Sequence, residues 1–397
     1  MKDLLFGLPT ESWLTLSLIP GVGTGRLARL WTYLETLETE NAEQQLLFDE
    51  LPDTIASIDY KTLRALGWKE HGANAVMRFL DRGVLCPDVA QQLEQTQNWL
   101  QAPDHRIVFR GTPEYPSLLN EISVPPTLLY VHGNPKAWAQ PTLGVVGARE
   151  ASAYGRQVAE HWSQQLSEAG FTITSGGARG IDTFAHRGAI AGNGPTVAVM
   201  GAGLNTWYPR QNKDLFESIL DHNGALISEY SLTTEVRPQL FPPRNRIISG
   251  MSAGVFVVEA SERSGSLISA RYALEENREV FALPGRIGEP QAAGTNQLIR
   301  QGASLVTCVD DILSELPRTL RLPLANAHQE AKHKALPEGS EEAQWLFNCL
   351  QKERIGMDFD ALIRLTKWQA PDLSQVLMEL ELAGVLINAQ GQYQIAP

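Results

Sequence analysis

The residues best suited to chemistry sit in short polar or glycine-rich segments that follow apolar runs. One is Ser175-Gly176-Gly177-Ala178-Arg179-Gly180-Ile181-Asp182. Glycine lets a backbone approach a phosphate closely, and free N–H groups at a helix start favour an anion. The pattern is one residue short of Gly-x-Gly-x-x-Gly, with Ser175 in the first glycine place, so a tight structural turn is the competing reading. Arg179, inside the loop, favours the anion site. Comparable segments are Gly147-Ala148-Arg149, Gly201-Ala202-Gly203, Tyr208-Pro209-Arg210-Gln211-Asn212-Lys213 and Phe241-Pro242-Pro243-Arg244-Asn245-Arg246. A lone loop arginine is ordinarily a solvated surface charge. Six basic residues converging on one edge (Arg149, Arg179, Arg210, Lys213, Arg244 and Arg246) are harder to dismiss. Asn212 and Asn245 add neutral donors and acceptors, while Tyr208 and Phe241 could stack on bases or plug a small core. Cations with interleaved aromatics and few base-reading groups suit single-stranded nucleic acid. They also suit a nucleotide.

Catalytic readings are weaker. Asp182 and His186 stand at i,i+4, either as a dyad or, as favoured here, as a structural hydrogen bond steadying the loop. Glu229 and Glu259 end strands read as adjacent. They are paired carboxylates or, preferably, acceptors for loop N–H groups and partners for the arginines. No Gly-Lys pair occurs, which removes the P-loop motif. No His-Glu-x-x-His occurs, and no carboxylate–histidine cluster has metal-ligand spacing. No Gly-x-Ser-x-Gly sits in a nucleophile-elbow context. Neither a metal nor a cofactor is expected.

These segments need elements to hold them. Apolar runs at 142–146, 171–174, 196–200, 225–227, 254–258, 279–283 and 304–307 mostly lack polar alternation, as strands buried on both faces do. Helical stretches at 152–169, 181–191, 212–222, 244–251, 265–277 and 294–301 intervene. Such alternation predicts an α/β fold with a doubly wound, mostly parallel sheet. The polar segments then all fall at the carboxyl ends of the strands, the edge where open α/β sheets bind ligands. Before this region, apolar residues recur at helical spacing in Trp13–Ile19 and Leu27–Leu34, around Pro20-Gly21-Val22-Gly23. After it, 317–340 has linker composition, and 341–397 reads as three helices and two short strands.

The chain has 397 residues and a formal net charge of −12. Its three cysteines, Cys86, Cys308 and Cys349, form no Cys-x-x-Cys pair, so neither a disulfide framework nor a zinc cluster is supported. No signal-peptide pattern and no long apolar span is present, and a cytoplasmic protein with no membrane partner is expected. The acidic balance argues against a nucleic-acid partner at the scale of the whole chain.

The ordered series Gly147-Ala148-Arg149, SGGARGID at 175–182 with His186, GAGLNTWYPRQN at 201–212, FPPRNRIISGMS at 241–252 and VVEASERSGSLISARYA at 257–273 resembles the DprA/Smf family of bacterial natural transformation. The resemblance implies an extended Rossmann-like domain over 105–316. It also implies a helical SAM-like (helix–hairpin–helix) domain over 1–104, a linker at 317–340 and a winged-helix-like domain at 341–397. It implies a non-enzymatic single-stranded DNA-binding mediator that protects incoming DNA, dimerises and loads RecA, with single-strand binding protein as a further candidate partner. The implied DNA-binding set is Gly147, Arg149, Gly176, Gly177, Arg179, Gly201, Gly203, Arg210, Asn212, Lys213, Arg244 and Asn245, with Asp182, His186, Glu229 and Glu259 supporting the loops. Ala148 stands where the family often has serine, which puts one phosphate hydrogen bond in doubt. The rival is a Rossmann-like nucleotide-binding or nucleotide-cleaving enzyme; the Pro-Gly-Gly-x-Gly-Thr loop of such relatives is absent at Pro284-Gly285-Arg286. From 341 on, Lys352, Arg354, Arg364 and Lys367 face eight acidic residues, a net of −4. The expected third helix, 371–383, has no Lys or Arg. A protein-contact or autoregulatory role is therefore favoured there over duplex binding. The Pro20–Gly23 turn is either a phosphate contact or a tight helical corner.

Overall fold

The computed structural model describes residues 4–45, 58–317, 340–353, 357–382, 385–389 and 392–395. Nearly all of the expected linker, 318–339, lies outside them. The chain divides into two compact units, Met1–Leu322 and Pro323–Pro397.

The first unit opens with a hairpin, β1 (Leu4–Leu5) and β2 (Leu8–Pro9), and five helices: α1 (Thr10–Leu18), α2 (Thr24–Gln45), α3 (Tyr60–Ala65), α4 (Glu70–Arg82) and α5 (Pro87–Trp99). Two strands follow, β3 (His105–Phe109) and β4 (Leu128–Gly133), separated by α6 (Ser117–Asn120). The alternating region supplies β5 (Thr142–Val146), α7 (Ala153–Glu168), β6 (Thr172–Ser175), α8 (Ile181–Ala191), β7 (Thr196–Val199), α9 (Lys213–Asp221) and β8 (Ala225–Ser228). It continues through α10 (Phe241–Met251), β9 (Gly254–Val257), α11 (Ser266–Glu275), β10 (Glu279–Ala282), α12 (Ala293–Arg300), β11 (Ser304–Leu305) and α13 (Val309–Glu315). Strands β3 to β11 form one sheet in the order β11-β10-β9-β5-β6-β7-β8-β4-β3. From β11 to β8 every pairing is parallel, while β8–β4 and β4–β3 are antiparallel.

Side chains alternate across the strands, so the sheet has two buried faces. Leu128, Tyr130, Ala198 and Leu226 join Trp13, Trp31 and Trp68 of the N-terminal helices in one core. Leu129, Val131, Val197, Val199, Ala225 and Ile227 join Ile247 and Ile248 of α10 and Ala270 of α11 on the other face. The N-terminal helices thus share a core with the sheet, and Arg110 Nη2 of the 110–116 connection meets Glu35 Oε2 at 3.0 Å. The α7–α8 packing needs Gly188, because a Cβ there would lie 2.0 Å from Glu160 O.

The second unit has helices Glu341–Glu353, Phe359–Thr366 and Ala370–Leu382 and a three-stranded antiparallel sheet, Met357–Asp358, Gln392–Ile395 and Leu386–Ala389. Its core includes Leu346, Leu350, Leu362, Leu377 and Leu380. Asp358 Oδ1 caps the second helix by accepting from Ala361 N at 2.7 Å. Among the described residues no helix is long and apolar enough to cross a membrane.

Candidate nucleic-acid interface

From β5 the chain steps one way through β6, β7 and β8, and from β9 it steps the other way through β10 and β11. The direction reverses between β5 and β9, which opens a crevice at their carboxyl ends. A cavity of about 480 Å³ lies there. Gly147, Ala148 and Arg149 line it from the end of β5, and Phe241, Arg244 and Asn245 from the start of α10. Ser261 and Ser264 line it from the loop after β9, and Ser266 from the start of α11. Gly147 is fixed by packing, since a Cβ would lie 2.5 Å from Ile181 Cγ1 and 3.0 Å from Glu259 O.

The glycine loop after β6 behaves differently from the expected anion cradle. Asp182 Oδ2 accepts from Gly176 N at 3.1 Å and Ala178 N at 3.3 Å, so the side chain of α8 is already the loop's anion. Gly177 has φ +63°, and its carbonyl accepts from Asn212 Nδ2 at 2.9 Å. Asn212 Nδ2 also reaches Ala178 O and Thr183 Oγ1, so this buried amide ties the loop together and has no spare donor for DNA. Gly201 and Gly203 are likewise packing positions, against Phe241 and against the backbone of Ser231 and Leu232. What the loop presents outward is the exposed Arg179. What it makes room for is Arg244, because a Cβ on Gly176 would lie 2.0 Å from Arg244 Nη1.

Arg244 is the central cation. It is 4% exposed, yet its Nε and Nη1 have no hydrogen-bond partner among the described residues. Burial lowers its pKa to about 10, opposed by Asp182, so it stays charged near neutral pH. Buried donors of this kind ordinarily find acceptors. Here those two atoms are shielded from solvent, while Arg244 as a residue lines the cavity and a smaller recess shared with Arg149, Gly176, Arg179, Tyr208, Pro209 and Phe241. Arg149 lies over the Phe241 ring, with Cζ 5.8 Å from its centroid. Tyr208, 44% exposed, has its ring 5.8 Å from that of Phe241. Two cations and two aromatic rings thus share one concave surface. Asn245 lines the cavity and donates Nδ2 to Gly265 O at 3.2 Å.

The remaining expected residues separate by role. Arg210 and Lys213 are exposed and lie outside both cavities, and Lys213 Nζ meets Glu217 Oε1 at 3.3 Å. Arg246 turns inward and forms a two-pronged pair with Glu229, at 2.8 and 2.6 Å, so it leaves the group of six converging cations. Glu229 and Glu259 do not end adjacent strands. Strands β5, β6 and β7 separate β8 from β9, which removes the paired-carboxylate reading. Glu259 instead accepts from Ser152 N at 2.9 Å and from Ser152 Oγ, steadying the N-cap of α7. His186 does not bond Asp182. Its Nδ1 lies 2.7 Å from Thr196 Oγ1, whose own proton goes to Ile173 O, so Nδ1 carries the ring proton. Nε2 is buried with no partner among the described residues, and burial pushes the pKa of His186 down to about 3. The imidazole is a neutral bracket between α8 and β7. Burial raises the carboxyl pKa of Asp182, partly offset by Arg244 and the two loop N–H groups.

The serine-rich lining, Ser261, Ser264, Ser266 and Ser269, went unassigned in the sequence. Its signal was the run SERSGSLIS at a strand end, which becomes informative once β9 is known to neighbour β5. At the N-terminal corner, Arg26 Nη1 donates to Gly21 O at 3.0 Å and Nε to Gly67 O at 3.2 Å. These bonds brace the turn from within.

The sequence profile described as DNA recombination-mediator protein A matches residues 106–317, and that of the DprA winged helix domain matches 330–392. Protein Smf of Escherichia coli (strain K12) is 40% identical over 317 residues, covering 76% of this chain and 80% of the relative. The DNA processing protein DprA of Bacillus subtilis (strain 168) is 42% identical over 208 residues, covering 52% and 70%. An X-ray structure of DprA from Streptococcus pneumoniae superposes with a TM-score of 0.63 at 30% identity, covering 80% of this chain and 99% of that one.

Proposed function

The chain belongs to the DprA/Smf family of DNA recombination mediators, and from that premise we propose that it binds single-stranded DNA across the carboxyl edge of β5, β6 and β9. The observation that carries this reading is Arg244, buried and charged, with Nε and Nη1 unpaired among the described residues, beside Arg149 and the Phe241–Tyr208 pair. A phosphate in the cavity meets the charge of a guanidinium that the protein leaves largely unpaired, and bases have rings to stack on. Arg179, Arg210 and Lys213 extend the positive surface along the strand. The glycines Gly147, Gly176, Gly177, Gly201 and Gly203 act by permitting these approaches, and Asn212 by holding the loop. Binding is insensitive to sequence, because no set of side chains aimed at base edges accompanies the cations.

The proposed role has the bound strand protected and handed to RecA by a homodimer, without turnover of a bound substrate. Segment 105–316 carries the DNA site, 1–104 buttresses it, and the acidic 341–397 module contacts protein. The test is fluorescence anisotropy with a labelled oligo-dT on the full chain, comparing wild type with the Arg149→Glu/Lys213→Glu double variant. Loss of binding with an unchanged melting temperature is expected, and unchanged affinity would overturn the site. With four to six phosphate contacts, log K against log salt has a slope of about −3 to −4, at about −0.7 per contact. Release of adenine from AMP by the same preparation would favour a nucleotide-cleaving enzyme instead.

A further inference from the structure

Away from this edge, the pairing of β3 with β4 brings His132 beside the adjacent residues Asp104 and His105. Asp104 immediately precedes β3, and the antiparallel register sets His105 opposite His132. The two imidazoles meet edge to face with centroids 4.3 Å apart. His132 Nε2 lies 2.8 Å from Asp104 Oδ2. One ligand atom from each of the three lies within 4.8 Å of the other two. Spacing along the chain cannot reveal such a set, because its third member arrives by cross-strand pairing.

The surroundings orient the rings. His105 Nδ1 lies 2.8 Å from Trp99 O. A carbonyl can only accept, so Nδ1 carries the proton and the lone pair is on Nε2. Metal-bound histidines are usually fixed by such a bond from the other ring nitrogen. The Trp99 ring stacks on His105 at 4.1 Å and 10°, and the Trp207 ring lies 5.6 Å from that of His132. The backbone is tied too, with Gly133 N donating to Asp104 O at 2.8 Å. The Asp104 side chain is half exposed, which leaves a route in from solvent.

We infer that Asp104, His105 and His132 form a binding site for one divalent transition-metal ion of the zinc class, with a fourth position open to water. Two imidazoles and a carboxylate are a recurrent zinc donor set, at about 2.0–2.2 Å per bond. Ligands about 3.3 Å apart satisfy a tetrahedron of that size, so the His132–Asp104 pair opens slightly from 2.8 Å and the wider separations, within 4.8 Å, close. The ion takes the place of the proton shared between His132 Nε2 and Asp104, and that proton moves to Nδ1 or to solvent. Mg²⁺ and Ca²⁺ need more oxygen donors than the site offers. Bound metal clamps the 99–105 turn to β4 beneath Trp207, whose next residue is Tyr208.

The test uses the full-length protein after chelation, titrated with Co²⁺ and followed by visible absorption. The expected result is an intense four-coordinate spectrum saturating at one equivalent, bleached by Zn²⁺ and unaffected by excess Mg²⁺. His132→Gln and Asp104→Asn each weaken binding by more than about tenfold, and Zn²⁺ raises the melting temperature of wild type but of neither variant. Asp104→Asn changes one partly exposed carboxylate and keeps the test interpretable if the histidine variant misfolds. Only the weak spectrum of hydrated six-coordinate Co²⁺, or undiminished binding in the Asp104→Asn variant, would overturn the site.

Discussion

Arg244 and Arg246 lie two positions apart on α10, and the same substitution at each is expected to do opposite things. Methionine replaces most of the arginine volume without its charge. At Arg244 the change removes a buried guanidinium whose Nε and Nη1 bond nothing among the described residues. Each such unpaired group costs about 1–3 kcal/mol. That gain opposes the lost attraction to Asp182, which keeps its bonds from Gly176 and Ala178. The melting temperature of Arg244→Met should therefore stay within a few degrees of wild type. DNA binding should not be spared. A charge-assisted hydrogen bond is worth about 1.5–3 kcal/mol, so oligo-dT affinity falls about 10- to 100-fold, at about 1.4 kcal/mol per decade. The salt slope becomes shallower by about 0.7. At Arg246 the change strands Glu229, whose side chain is 1% exposed and holds two bonds from that guanidinium. Breaking a buried pair on one side costs about 3–5 kcal/mol, or about 4–7 °C in melting temperature at this size. DNA affinity per folded molecule stays the same. Thermal melts and anisotropy titrations on both variants decide the matter. If Arg244→Met melts as low as Arg246→Met while binding DNA normally, Arg244 is a structural cation and the site is misplaced.

Gly176→Ala tests the same cation from the other side. Its Cβ would lie 2.0 Å from Arg244 Nη1, displacing the guanidinium, so DNA affinity should fall while Arg149 and Arg179 remain. His186 makes stability depend on pH. Its pKa is about 3 in the folded chain against 6.5 ordinarily, so between those values the unfolded state binds the extra proton. Stability against unfolding then falls on acidification through that window by at most about 1.4 kcal/mol per pH unit. Asp182, with its raised carboxyl pKa, acts in the opposite sense, so the readout is the difference in urea midpoint between wild type and His186→Gln from pH 7 to 4. An identical pH profile in the variant would remove His186 as the cause. Deleting 341–397 should leave oligo-dT affinity unchanged, because helix Ala370–Leu382 offers no Lys or Arg to a phosphate backbone. A tenfold loss in the same anisotropy assay would give the module a direct DNA role.

Much of the architecture was legible because it rests on local pattern. The runs at 142–146 and 254–258 are buried on both faces, so they needed no alternation to be read as strands, and helix 181–191 was read to the residue. Strands β3 and β4 are not legible from that alternation, because they lie outside it on the antiparallel edge beyond β8. The site was legible as a set of loops and much less as a set of contacts. SGGARGID showed glycine and arginine together, but which N–H groups are free depends on Asp182 folding back one turn into α8. Arg244 and Arg246 are indistinguishable on paper. A helix turns about 100° per residue, so two positions apart they face different neighbours, one the cavity and the other Glu229.

By itself the sequence determined the class of fold, the edge on which its polar loops gather and the chemistry those loops offer, because strand burial, helix periodicity and side-chain charge are local properties. It also showed that a net charge of −12 does not exclude a cationic site. Only tertiary structure decided strand order, and with it the crevice between β5 and β9, the separation of Glu229 from Glu259, and the meeting of His105 with His132. Each of these depends on which strand pairs with which. That pairing is fixed by burial summed over both faces of the sheet, a quantity no single segment contains.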